Sequence, residues 1–172
     1  MDISFKNGNE KFNYRVCAII INEDKILAMK DECSPYFYLP GGRVKIGETA
    51  EHAVLRECEE ELQTKPQIIR PLWLNQAFFT EDVSKIRFHE ICVYFLMDIS
   101  KTDLLSKGET FVLSENGIEH SFEWLPFERL KNEYFYPTFL KKDIYNLPDV
   151  FDIRTEIEEK IIDEVKDRIY SI

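Results

Sequence analysis

The stretch GGRVKIGETAEHAVLRECEEEL (residues 41–62) carries six glutamates and only three lysines or arginines. Two glycines precede a short loop, and Thr49 is a good N-cap for a helix over residues 50–62. His52 stands where a Glu or Gln would complete a capping box. Because a residue before proline rarely stays helical, Pro66 predicts that this helix ends by residue 65.

Three of the glutamates fall on one side of the predicted helix. At roughly 100° per residue, Glu57, Glu60 and Glu61 occupy a sector of about 100° at the edge of the apolar stripe. Carboxylates at this spacing repel one another, and more strongly when they are partly desolvated. Arg56 can reach Glu60 but supplies a single charge, whereas Mg²⁺ prefers oxygen ligands and would supply two. The pattern therefore favours a metal site over an acidic helix face in solvent, which stays the alternative.

Composition limits the classes of protein that fit. The 172 residues, of which 44% are apolar, suit one domain over residues 1–172 with a substantial core. A net charge of −10 repels nucleic acid and anionic membranes, so both are unlikely partners. No signal peptide or membrane span is visible, and the four cysteines form no CxxC pair. We expect a soluble, cytoplasmic protein without a zinc or redox site.

Outside the opening stretch, the patterns predict a mixture of strands and helices, an α/β (α+β) class. Residues 14–21 and 26–30 read as a hairpin because two apolar, β-branched runs flank a polar turn. Residues 86–99 and 120–126 read as aromatic-rich strands, and residues 137–147 as a helix with proline at its start.

The end of the chain, from about residue 148, reads as an extra strand or helix segment. VFDIRTEI (residues 150–157) alternates like a strand. Ile157, Ile161, Val165 and Ile169 recur at the four-residue spacing of a helix. Periodicity alone does not decide where one gives way to the other.

The opening stretch resembles the signature of the Nudix hydrolases. That signature is Gly, five residues, Glu, seven residues, Arg-Glu, an aliphatic residue, any residue, Glu-Glu, any residue, Gly and an aliphatic residue. The residues that match it at the required spacing are Gly42, Glu48, Arg56, Glu57, Glu60 and Glu61. Cys58 takes an aliphatic position, and Gln63 and Thr64 replace the last two residues of the pattern. If the helix ends in a left-handed turn, Gln63 would cost about 1 kcal/mol there.

The resemblance implies a fold, an activity and a cofactor. The fold is a central mixed β-sheet sandwiched between α-helices. The activity is hydrolysis of a diphosphate linkage in a small nucleotide, a nucleoside diphosphate linked to another group. The cofactor is Mg²⁺, with Mn²⁺ as a second choice.

The resemblance also implies roles for individual residues. Glu60 and Glu61 are the expected metal ligands, and Glu57 is a ligand or the general base. Arg56 would orient the carboxylates, Gly42 would place its carbonyl near the metal, and Glu48 would support the loop. A further carboxylate from a downstream loop is assigned to Glu119, with Glu123 and Glu109 as second choices.

Substrate contacts are predicted from residue type. Arg15, Arg43 and Arg87, and also Lys30, could meet phosphates. The aromatic candidates for stacking on a base are Tyr36, Phe37, Phe79 and Phe88.

Three other functions stay open. The first is a Nudix-fold sensor that binds a nucleotide without turnover, although the complete Arg56, Glu57, Glu60 and Glu61 set argues against it. The second is an RNA-end-processing enzyme of the decapping type, although this sequence has no basic stripe of the kind that RNA affinity requires. The third is a structural protein whose acidic helix is incidental. The sequence leaves the oligomeric state open, a homodimer included.

Overall fold

Two β-sheets and one long helix form the fold, and the computed structural model describes residues 1–158. The elements in chain order are β1 (Ser4–Asn7), β2 (Glu10–Ile19), β3 (Ile21–Asn22), β4 (Lys25–Asp31), β5 (Gly41–Arg43), α1 (Ala50–Leu62), β6 (Gln67–Thr80), β7 (Arg87–Asp98), a 3₁₀ turn (Leu104–Lys107), β8 (Thr110–Glu115), β9 (Ile118–Pro126), α2 (Phe127–Leu130), α3 (Leu140–Asp143) and β10 (Asp152–Ile157).

The larger sheet is mixed and has the order β1-β2-β7-β6-β10, with β5 also paired to β2. Strands β2 and β7 run parallel, β10 runs parallel to β6, and the other pairs are antiparallel. The run from Val16 to Ile19 is buried on both faces of the sheet. A strand covered on both faces reads as a continuous apolar run, which explains the composition of this segment.

The second sheet, β3-β4-β9-β8, is antiparallel and contributes to two core clusters: Leu27 and Met29 belong to the cluster that contains α1, and Ile26 and Ala28 to the other. In the first cluster Val54, Cys58 and Leu62 of α1 meet Val16 and Phe95 of the larger sheet. The opposite face of the larger sheet is covered by the second core cluster, to which α2 contributes Leu130 and α3 contributes Leu140, together with the preceding Phe139. The predicted class, a mixed sheet between helices, is confirmed.

Helix α1 has the predicted bounds and the predicted cap. The hydroxyl of Thr49 accepts a hydrogen bond from the backbone N–H of His52 at 3.2 Å. At the other end Gln63 adopts the left-handed conformation, with φ 55°. The helix therefore keeps the C-cap geometry that glycine usually provides, at the cost expected for a residue with a Cβ.

Two sequence predictions need correction. The expected hairpin of residues 14–21 and 26–30 is reduced to β3 and β4, because β2 belongs to the larger sheet and β4 to the smaller one. Of the expected helix over residues 137–147, only α3 is α-helical. Several turns before and after α3 have the i→i+3 hydrogen bonds of a tighter turn and not those of an α-helix. In both cases the periodicity identified a segment with buried residues, but it did not determine the sheet partner of β2 or the length of α3.

The C-terminal tail begins as a strand, β10, and the positions Ile161, Val165 and Ile169 lie outside the described residues. Within residues 1–158, none of the helices has the length and apolar character needed to cross a membrane.

Replacing Gly41 by Ala should destabilise the protein by about 3 kcal/mol or more. Gly41 has φ +146°, and a Cβ there would lie 2.2 Å from the backbone oxygen of Val16, so β2 and β5 would have to separate. Gly117→Ala is the control, because its Cβ would meet open space and its φ of +84° costs only about 1 kcal/mol. Urea denaturation of both variants measures the difference; equal stability would contradict the prediction.

Candidate active site

Arg56 is the centre of an ion-pair network at the start of the acidic helix. Its Nε donates to Glu48 Oε1 at 2.7 Å, and its Nη2 donates to Glu48 Oε2 and to the backbone oxygen of Arg43, both at 3.0 Å. Its Nη1 donates to Glu57 Oε1 at 2.6 Å and to Glu60 Oε2 at 2.9 Å. The Arg56 guanidinium lowers the pKa of Glu48 to about 2. One half-buried cation thus joins the loop, β5 and α1.

Glu61 lies deeper than its neighbours and does not contact Arg56. Only 7% of the residue is exposed, and its Oε2 accepts a hydrogen bond from the backbone N–H of Gly41 at 2.8 Å. Burial raises the pKa of Glu61 well above its usual value, and the nearby Glu57 carboxylate raises it further. An ionised Glu61 therefore needs more positive charge than the surrounding protein supplies.

Glu57 lies against the backbone at Gly42. A Cβ on Gly42 would be 2.4 Å from the Glu57 carboxylate, so only glycine leaves room for this approach. Burial raises the pKa of Glu57, although its contact with Arg56 opposes that shift.

These carboxylates fit a divalent cation by their chemistry. Glu57, Glu60 and Glu61 each hold one oxygen in a hydrogen bond to Arg56 or Gly41. The second oxygen of Glu60 lies 3.9 Å from Lys45 Nζ, at the long end of an ion pair. Among residues 1–158, no three side chains already converge as a complete metal centre. Arg56 compensates the negative charge of Glu57 and Glu60, so a metal ion bound there would share these two carboxylates with Arg56.

A downstream carboxylate does reach this cluster, but it is Glu115 and not the expected Glu119. Glu115 lines the same cleft as Glu57 and Glu60, and its charge raises the pKa of Glu57 and of Glu61. Its Oε2 lies 3.9 Å from Nε2 of the buried His120.

The assignment of Glu119 is corrected because of the β8–β9 register. Glu119 pairs with Ser114 and is exposed, whereas Glu115 pairs with Ile118. Neighbouring positions on a strand face opposite sides of the sheet, so Glu119 lies on the side away from Glu115.

The second choices for the downstream carboxylate are also held elsewhere. Glu123 forms an ion pair with Arg129, and both oxygens of Glu109 accept hydrogen bonds from Lys25 Nζ, at 2.9 and 2.8 Å. No sequence signal separated Glu115 from these glutamates, apart from its place just before the Asn-Gly turn.

Two of the three predicted substrate arginines lie in one cleft. Arg15 and Arg43 line a cavity of about 640 Å³ that extends from Gly41 and Glu61. Nη2 of Arg15 donates to the Gly41 oxygen at 3.3 Å, and the buried Nε atoms of both arginines have no partner among residues 1–158. Positive N–H groups aimed at this region suit an anionic ligand.

Arg87 and Lys30 are not brought to the cavity. Arg87 lies 3.8 Å from a carboxylate oxygen of Glu10, and Lys30 Nζ lies 3.8 Å from the centre of the Phe37 ring. Neither side chain lines the cavity.

The aromatic candidates divide in the same way. Tyr36, Phe79 and Phe88 line the cavity, while Phe37 belongs to the core. Phe79 and Phe88 stack on each other with ring centres 5.2 Å apart. They form an apolar outer end of the cavity, beyond the arginines.

The chain is similar in sequence to known proteins. The family model described as NUDIX domain matches residues 11–143. Over 87 residues the chain is 36% identical to an ADP-ribose pyrophosphatase of Methanocaldococcus jannaschii. That match covers 49% of this chain and 49% of the other, so it spans about half the length of this curated relative.

Solved structures are similar to the chain at the level of the fold. The mutator MutT protein of Bacillus halodurans has a TM-score of 0.58 at 11% identity, covering 86% of this chain and 92% of that one. An ADP-ribose pyrophosphatase of Streptococcus suis has a TM-score of 0.53 at 16% identity, covering 83% and 98%.

Replacing Gly42 by Ala should spare the fold and impair metal binding. The added Cβ would displace the Glu57 carboxylate, which is the mobile end of a side chain, and not backbone as at Gly41. The melting temperature in EDTA should stay within a few degrees of wild type, while the rise on adding Mg²⁺ should largely disappear. A full Mg²⁺ response in Gly42→Ala would contradict the predicted role of this contact.

Glu61→Gln should be at least as stable as wild type without metal and less stable than wild type when metal is added. Because the folded pKa of Glu61 is raised, wild type in EDTA should lose stability as pH rises from about 4.3, the usual value, through that raised pKa. Glu61→Gln can still accept the Gly41 N–H bond, so near pH 7.5 in EDTA it should exceed wild type by up to about 1 kcal/mol.

Mg²⁺ at a hundred times its dissociation constant should stabilise wild type by about 2.7 kcal/mol, and Glu61→Gln by much less. Melting curves in EDTA and in Mg²⁺ measure both effects. Glu59→Gln, an exposed change on the same helix, should follow wild type. Equal Mg²⁺ responses in Glu61→Gln and wild type would mean that the acidic cluster holds no metal.

Proposed function

The chain belongs to the NUDIX family, and from that premise we propose that it is a metal-dependent pyrophosphohydrolase acting on a small nucleotide. The bond cleaved is a diphosphate linkage between a nucleoside and another group. The observation that carries the proposal is the placement of Glu57, Glu60 and Glu61 beside the cavity that Arg15 and Arg43 line. It brings carboxylates for a cation and cations for phosphate to one place.

The proposed metal site uses oxygen ligands. Glu60 and Glu61 would hold Mg²⁺ or Mn²⁺, with the carbonyl of Gly42 close by and Glu115 in place of Glu119. Glu57 would be either a further ligand or the general base. When bound, the ion supplies positive charge for the phosphate oxygens and lowers the pKa of a water molecule.

The protein residues supply binding and proton transfer. Arg15 and Arg43 donate hydrogen bonds to diphosphate oxygens, and Arg56 fixes the positions of Glu57 and Glu60. Water attacks one phosphorus atom while the bond to the bridging oxygen breaks. Burial raises the pKa of Glu57, so Glu57 is the stronger candidate for the base that takes the water proton, and Glu115 is the second.

ADP-ribose is the first substrate to test, because the relative from M. jannaschii and the S. suis structure are both ADP-ribose pyrophosphatases. An RNA substrate is disfavoured by the net charge of −10. A sensor that binds without turnover would need neither a complete carboxylate set nor the close approach of Glu57 to Gly42.

Glu60→Gln should lower kcat by about 10²-fold or more while keeping the fold, because a main source of electrostatic stabilisation is removed. Turnover of ADP-ribose and of a nucleotide panel, with and without EDTA, measures this. Glu59→Gln is the matched control on the same helix and should keep wild-type kcat. Wild-type rates that persist in EDTA would contradict metal dependence, and binding without turnover would favour the sensor.

Reaction in ¹⁸O-labelled water should place the label on a phosphate of one product, because water is proposed to attack phosphorus. Mass spectrometry of the products locates the label. Label on a sugar carbon or on a base would indicate a different class of reaction.

A further inference from the structure

Strand β10 adds a wall to the cavity from outside the residues that the family model matches. The match ends at residue 143, whereas β10 covers Asp152–Ile157 and pairs in parallel with β6. This pairing brings Glu156 opposite Ala77, and both residues line the cavity together with Glu158. The carboxylates of this wall therefore come from a part of the chain that follows the residues matched by the family model.

The buried amide of Asn75 is incompletely paired at this wall. Asn75 lines the cavity and is 2% exposed. Its Nδ2 donates to Glu156 Oε2 at 2.8 Å, and its Oδ1 is buried without a hydrogen-bond partner among residues 1–158. Because a buried acceptor without a donor is costly, this atom indicates a ligand that carries an N–H or O–H group.

Two further polar residues that line the cavity contribute acceptor oxygens. Glu90 lies opposite Ala77 on β7 and accepts a hydrogen bond from Asn13 Nδ2 at 3.2 Å. The Oδ1 of Asn13 already accepts from Ser4 Oγ at 2.8 Å. The middle of the cavity thus offers carboxylate and amide oxygens, and the Thr138 hydroxyl, which also lines it, donates to Glu156 Oε1 at 3.4 Å.

Charge separates the two ends of the cavity. Arg15 and Arg43 lie at the end near Gly41, whereas the carboxylates of Glu156 and Glu158 belong to the wall that β10 adds. Among residues 1–158, six acidic residues apart from Glu61 line the cavity, namely Asp31, Glu81, Asp82, Glu90, Glu156 and Glu158. Of these, Glu90 interacts electrostatically with Arg15. Lys11 lies near this end, with its Nζ 5.5 Å from the centre of the Phe88 ring, and among residues 1–158 the acidic residues that line the cavity outnumber these cations.

We propose that the acidic wall formed by β10 selects substrates whose second half, beyond the diphosphate, carries a positively charged N–H group such as a primary ammonium. This inference rests on the proposed function and narrows its substrate class. An ammonium would donate to Asn75 Oδ1 and Glu156 and would compensate the excess carboxylates. A hydroxyl could donate to Asn75 but would leave the negative charge uncompensated, and a second phosphate or carboxylate would be repelled.

The test compares substrates that differ only in this group. One pair is CDP-ethanolamine and the CDP ester of ethylene glycol, and the other is UDP-glucosamine and UDP-glucose. Dissociation constants are measured by calorimetry in Ca²⁺ near pH 7, where the ethanolamine amine is protonated, and kcat/KM is measured separately in Mg²⁺. Both members of a pair experience the same metal and the same buffer, so metal uptake by the carboxylates affects them equally.

In at least one pair the ammonium member should bind wild type about tenfold more tightly than its hydroxyl partner. Glu156→Gln should reduce that ratio to below about threefold, because the glutamine can still accept from Asn75 but lacks the charge. Binding of the neutral member should change little. Glu128→Gln, an exposed change outside the cavity, is the matched control and should keep the wild-type ratio.

Equal or undetectable binding of both members in both pairs would overturn the proposed selectivity, as would an ammonium preference that Glu156→Gln leaves unchanged. These binding ratios do not depend on turnover. A protein that binds the ammonium members selectively but hydrolyses none of these compounds, ADP-ribose included, would support this inference and contradict the proposed function.

Discussion

The ion-pair network of Arg56 is the constraint on which the candidate site depends. Loop, β5 and helix α1 are separate segments, and Arg56 bonds to all three through Glu48, the Arg43 carbonyl, Glu57 and Glu60. A guanidinium has five N–H donors in a fixed plane, so it can hold several acceptors at defined angles. The network keeps Glu57 and Glu60 at the mouth of the cleft although like charges repel. Glu61 remains outside it, buried and dependent on the Gly41 N–H bond.

Strand β2 couples the acidic helix to the cavity. Its even-numbered residues Val16 and Ala18 pack in the same core cluster as α1, while the odd-numbered Asn13, Arg15 and Cys17 line the cavity on the opposite face. The alternation of side chains along a strand produces this division. A shift of β2 against β7 by one residue would exchange the two faces, so the long parallel pairing of these strands sets the position of Arg15 relative to Glu61.

The cavity also explains how one family signature is compatible with different substrates. Glu61 of α1 and Gly41 of β5 lie at one end, while the residues that would meet the second half of a substrate come from β6, β7 and the added strand β10. The proposed reaction and the proposed substrate selection thus involve different parts of the chain. A change in the C-terminal extension can alter the cavity wall without touching the helix that carries the acidic cluster.

The sequence by itself determined the features that depend on local geometry. Helix α1, its Thr49 cap and the common side of Glu57, Glu60 and Glu61 all follow from the rotation of about 100° per residue and from side chains that bond their own backbone. The fold class followed from the same patterns and from the signature residues. Only the tertiary structure decided which distant segments meet. Glu115 reaches the cluster and Glu119 does not, because the β8–β9 register pairs Glu115 with Ile118 and so places Glu119 on the other face of the sheet. The partners of β2 and β10, and the choice of Arg15 and Arg43 over Arg87, depend on strand pairing across many residues, which no local pattern specifies.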